Sequence, residues 1–103
     1  FKEDGKIHSN LTDYVEAAKK VAAKYEVPVV DLHARSLEMV NRMGPAAAAP
    51  LDREPRPGPD FGNTAVKTKP DKTHLSAKGS EVFGKVVADE LKQADPGLGR
   101  YIN

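Results

Sequence analysis

The run "VPVVDL", residues 27–32, decides what kind of fold this chain belongs to. It is short, mostly apolar and rich in β-branched residues without polar alternation, the composition of a strand buried on both faces of a parallel sheet. Pro28 belongs at its start, where the missing N–H costs no ladder bond. Upstream, Tyr14, Ala17, Ala18, Val21, Ala22 and Tyr25 recur at three- and four-residue spacing and predict a helix from Thr12 to about Glu26. Thr12 is the expected N-cap, with Asp13 and Glu16 placed favourably for the helix dipole. Before it, "FKEDGKIHSN" reads as a surface loop turning at Asp4-Gly5, with His8 exposed. Downstream, "HARSLEMVNRMG" sets Leu37, Val40 and Met43 on one side of a second helix that stops at Gly44-Pro45.

Residues 45–70 hold six of the eight prolines and no amphipathic period, so they are expected to be loop or extended chain, long enough to be functional or mobile. Ser76 then caps a helix whose Val82, Phe83, Val86, Val87 and Leu91 form a broad apolar stripe ending before Asp95-Pro96-Gly97. This inventory supplies one convincing strand, since "AVKT" at 65–68 is too polar and brief to pair with it. A strand buried on both faces needs parallel neighbours to satisfy its backbone. Those neighbours are expected in a missing N-terminal half, a partner chain or a symmetric copy. The chain therefore reads as the last third to half of an α/β protein, with all of 1–103 belonging to one domain.

Composition narrows the function. Sixteen basic and fifteen acidic side chains leave a net charge of +1, and the lysines are interleaved with acids, so no cationic face suits nucleic acid. Without cysteine there is no disulfide framework, thiolate zinc site or Cys nucleophile. No apolar run approaches the ~20 residues of a membrane span. The chain opens on Phe1 and not on Met, which leaves room for sequence upstream.

The chemistry concentrates in "DKTHLSAKGSEVFGKVVADEL", residues 71–91. Side chains three apart in a turn can meet, so Asp71 can accept from His74 Nδ1 while Nε2 faces outward as a general base. The alternative is that Asp71 merely forms a turn and His74 is solvated. A metal reading would take Asp71 and His74 with His8 or His33 as a third ligand, but no metal-ligand spacing is apparent. Asp31 and His33 flank the carboxyl end of the expected strand, the side on which open parallel sheets bind ligands. Either could touch substrate, and equally Asp31 could cap the next helix with His33 on its first turn. Gly79 would allow close backbone packing behind the turn.

The 71–91 block resembles the final block of the SGNH, or GDSL-type, hydrolases, in which Asp-x-x-His and then Asn/Ser-x-x-Gly precede an apolar helix. "LTDYVEAAKKVAAKYEVPVVDLHARS", residues 11–36, is similar to the preceding helix and strand of their rhamnogalacturonan acetylesterase branch. The resemblance implies a three-layer α/β/α, flavodoxin-like domain of which this is the C-terminal portion. It further implies a Ser-His-Asp triad with Asp71 as acid and His74 as base, and no cofactor. The expected substrate is an acetylated polysaccharide, or another ester if the parent is a lipase, phospholipase or thioesterase of the same superfamily. Secretion or export to the periplasm is the expected location.

The sequence departs from that pattern in holding no Gly-Asp-Ser; Ser9, Ser36, Ser76 and Ser80 all sit in other contexts. Without a nucleophile and oxyanion donors the pair has no oxygen to activate and no stabiliser for the tetrahedral intermediate. The isolated chain is therefore expected to be inactive, its serine carried by the missing half or a second chain. The rival from another class is a noncatalytic fragment that docks on a partner through its strand edge and apolar stripes.

Overall fold

The computed structural model describes residues 1–54 and 71–102. In chain order these form α1 (Thr12–Lys24), α2 (Leu32–Ala48), a 3₁₀ turn (Ala49–Leu51), α3 (Ala77–Ala94) and the short α4 (Pro96–Gly99). Helices α2 and α3 pack on each other and on the 3₁₀ turn, and α4 folds back on α3. Val40, Ala48 and Leu51 are the buried apolar residues of this junction, with Ile7, Met39, Met43, Val82 and Phe83 packed around them. A charged contact reinforces it, Arg35 Nε lying 2.7 Å from Glu90 Oε1 across α2 and α3.

All three long helices predicted from periodicity are present, but their boundaries differ instructively. Thr12 is not the cap of α1; Leu11 occupies that position with no side-chain cap bond, and the Leu11 N–H instead goes to Ser9 Oγ at 3.1 Å. The helix exits with Glu26 in the left-handed region at φ 53°. There the Glu26 N–H reaches the Ala23 carbonyl and the Val27 N–H the Ala22 carbonyl at 2.9 Å, the double bond pattern of a Schellman exit.

Gly44 breaks α2 as expected, with φ 80° and ψ 169°, yet the chain does not become loop there. Pro45 restarts the helix at once, because a missing N–H and a fixed φ suit a first helical turn, and the alanines that follow sustain it. The expectation of loop from residue 45 is thus corrected for 45–51. Residues 55–70, including the weighed "AVKT", lie outside the described residues.

The predicted strand is not formed among the described residues. Residues 27–31 form no strand, and no sheet exists among the described residues. The Leu32 N–H turns back to the Val30 carbonyl, and Val27 and Val29 are 56% and 44% exposed. A doubly buried parallel strand needs neighbours to take its hydrogen bonds and layers to cover its faces, and the described residues supply neither. The mostly helical architecture is compatible with the C-terminal part of an α/β domain. Helix α1 shares this exposure: it buries no residue, and Val21 and Tyr25 remain open to solvent.

Candidate active site

The turn before α3 is built by one carboxylate. Asp71 Oδ1 accepts the backbone N–H groups of Thr73 and His74, each at 2.9 Å, which bends residues 71–74 into an Asx-type turn. That turn carries the imidazole over the other oxygen, with His74 Nδ1 3.0 Å from Asp71 Oδ2. The His74 and Thr73 amides, and after them the imidazole, hold the Asp71 carboxyl at about 2, below its usual 3.8. It is therefore ionised and can only accept, so the proton between the two residues sits on His74 Nδ1. In the neutral imidazole this leaves the Nε2 lone pair free, the tautomer a general base requires. The ring is 63% exposed, open to an incoming group.

Non-local contacts seat this turn. The Arg53 N–H donates to the His74 carbonyl and the Ser76 N–H to the Leu51 carbonyl, both at 2.9 Å, flanking an antiparallel bridge between Asp52 and Leu75. Lys72 Nζ reaches Asp52 Oδ2 at 2.9 Å across the same junction. Ser76 is the N-cap of α3 as predicted, its Oγ accepting from Gly79 N at 3.0 Å. Gly79 is buried against the 3₁₀ turn, so closely that a Cβ there would stand 2.2 Å from the Leu51 carbonyl oxygen. Pairing between residues 50–53 and 74–76 was not anticipated, and no sequence period could have shown it.

Beside the turn lies an open groove of about 800 Å³ between α2 and the N-terminal segment that precedes α1, walled by apolar side chains such as Leu11, Leu37, Val40 and Phe83. His74 is not part of its wall, but Lys72 and Leu75 on either side of it are. His33 lies on the first turn of α2 and lines the groove, with Nε2 2.8 Å from Ser9 Oγ. Asp31 is occupied otherwise. It caps α2 through Ala34 N at 2.9 Å and pairs with Lys19 Nζ at 2.6 Å. Lys19 first and the Ala34 amide second lower its pKa. His8 pairs with Asp4 at 2.6 Å. Among the described residues no three His, Asp or Glu side chains gather as a metal site, so neither His8 nor His33 joins Asp71 and His74. Among the same residues no helix is long and apolar enough to cross a membrane.

No family model and no solved structure matches the chain. A relative does: the rhamnogalacturonan acetylesterase RhgT of Bacillus subtilis is 30% identical over 95 residues, which is 90% of this chain. The chain spans 39% of the length of that relative. It is thus similar, over most of its own length, to part of an acetylesterase.

Proposed function

We propose that this chain is the acid-base portion of a serine esterase of the SGNH, or GDSL, type. Its substrates would be acetyl esters on plant cell-wall polysaccharide such as rhamnogalacturonan. The observation that carries the reading is the Asp71–His74 pair, with His74 Nδ1 3.0 Å from Oδ2 of a carboxyl held well below its ordinary range. A serine from polypeptide outside this chain attacks the acetyl carbonyl carbon while His74 Nε2 takes its proton. The imidazolium, stabilised by Asp71, then protonates the departing sugar oxygen as the C–O bond breaks. Water, deprotonated in turn by His74, hydrolyses the acyl-serine, and acetate leaves with the serine restored. The scheme uses no metal and no organic cofactor.

The same reading assigns segment 27–31, exposed at Val27 and Val29, to a parallel sheet of a three-layer α/β/α domain, completed by that outside polypeptide. Support comes from the uncovered Val27 and Val29 and from the bare apolar face of α1. Work on cell-wall polysaccharide places the complete enzyme outside the cytoplasm, secreted or periplasmic. The apolar groove beside Leu75 favours a second substrate class, the longer acyl chains of a lipase, phospholipase or thioesterase working by identical steps.

The test is native mass spectrometry paired with acetyl-ester hydrolysis on the same sample. The expected result is an inactive 11.1 kDa species that becomes active when joined to the serine-bearing portion. In the active assembly, His74→Ala should abolish most turnover while substrate binding persists. Near-normal hydrolysis by that variant refutes the triad role. Stable association with a partner but no hydrolysis, even with the serine-bearing portion present, would favour a noncatalytic docking role.

A further inference from the structure

We propose that Ser76 is a positioning residue for His74, acting through the segment Pro50–Arg53; this rests on the esterase reading of His74. Capping α3 needs only an acceptor, and Ser76 Oγ supplies it to the Gly79 amide. The hydroxyl proton is left over, and it is spent on a distant group, donated to the Pro50 carbonyl oxygen at 2.6 Å. A serine hydroxyl has one proton, so this contact settles its rotation. The residue thereby joins the start of α3 to the 3₁₀ turn, whose Leu51 is 3% exposed at the centre of the core.

The bonds that shape the Asp71–His74 turn are internal to residues 71–74. Those that place it against the rest of the molecule run instead from Lys72 and residues 74–76 to residues 50–53. The two sets can be separated experimentally. Losing the second leaves an intact acid–imidazole pair in the wrong place. A displacement of about 1 Å at a catalytic group costs on the order of 100-fold in rate.

The variant that isolates this role is Ser76→Asp, which keeps an N-cap acceptor but brings no proton for the Pro50 carbonyl. On this chain, amide hydrogen exchange followed by NMR reads the Arg53 N–H, the donor to the His74 carbonyl. Ser76→Asp should keep the helicity of α3 and the Nδ1–H tautomer of His74 yet lose Arg53 protection. Ser76→Thr, which retains both bonds, should restore it. In the assembly with the serine-bearing portion, Ser76→Asp should lower kcat by about 10-fold or more with KM little changed. Unchanged Arg53 protection in Ser76→Asp overturns the proposal, as does an unchanged kcat where protection is lost. Turnover that survives His74→Ala overturns the esterase reading and the positioning role with it. That failure is recognisable because the exchange measurement needs no catalysis.

Discussion

Replacing Gly79 by alanine would set a Cβ 2.2 Å from the Leu51 carbonyl oxygen, 3.0 Å from its carbon and 3.2 Å from its Cα. All three are backbone atoms, so no side chain can rotate aside. The carbonyl must retreat by about 1 Å to reach ordinary contact, and it is also the acceptor of the Ser76 N–H. Overpacking of this kind costs about 1–3 kcal/mol, and a rigid backbone neighbour puts this case at the upper end. Against it stands the helix preference of alanine over glycine, about 1 kcal/mol. The net expectation is a loss of about 2 kcal/mol.

Gly84 provides the control within the same helix. A Cβ there meets nothing within 4 Å, so Gly84→Ala keeps the preference alone and gains about 1 kcal/mol. The two alanine variants should therefore differ by about 3 kcal/mol, a separation of more than ~10 °C for a domain of this size. Thermal and urea unfolding followed by far-ultraviolet circular dichroism would read both. A Gly79→Ala protein as stable as the parent would refute the close approach of α3 to the 3₁₀ turn, and with it the seating of His74.

Three further predictions follow from the local geometry. Glu26 holds a left-handed φ of 53°, a conformation that costs a non-glycine residue about 1 kcal/mol, so Glu26→Gly should raise the unfolding midpoint; a fall in the midpoint would count against the Schellman exit. Asp31→Ala removes the cap of α2 as well as the Lys19 pair and should cost about 1 kcal/mol, whereas Lys19→Met, losing only an exposed ion pair, should cost less; equal losses in urea titrations would mean that the pair dominates. The amides around it hold the Asp71 carboxyl at about 2 in the folded chain, below its ordinary 3.8, so it stabilises the turn at pH above 3.8 and loses that contribution as pH falls towards 2. Carboxyl carbon shifts should show that midpoint, and a value near 3.8 would rule out the amide cradle around Oδ1.

The features legible in the sequence are those set by neighbours a few residues apart. Apolar spacing located α1, α2 and α3; Asp31 and Ser76 were recognisable as caps because each precedes its helix with an acceptor of the right length. The Asp71–His74 contact was legible for the same reason, a three-residue turn closed by its own first side chain. The helical restart at Pro45 carried a readable signal, proline at a first helical position followed by alanines, but proline density outweighed it. The seat of the site was not legible at all. Ser76 Oγ and the Pro50 carbonyl are separated by 26 residues, and no period in the sequence reports such a contact.

The run at 27–32 shows the opposite failure, a strong local signal with no local means of being realised. β-branched side chains favour extended backbone only modestly, because most of their strand preference comes from packing against cross-strand and same-face neighbours. Among the described residues Val27 and Val29 stay 56% and 44% exposed, and the segment forms no ladder. Helix α1, whose preference resides in its own backbone bonds, forms without burying a single residue. The proposed completion of a larger sheet accounts for the contrast: helices held by their own backbone bonds form, and residues 27–31 make no ladder among the described residues. On the proposed esterase reading, joining a serine-bearing portion should draw residues 27–31 into a ladder and bury Tyr25 and Val27 in the same step. Amide exchange at Val29 and Val30, fast in the isolated chain and slow in the assembly, would register it; exchange unchanged on assembly would assign the run to loop and take away the sheet.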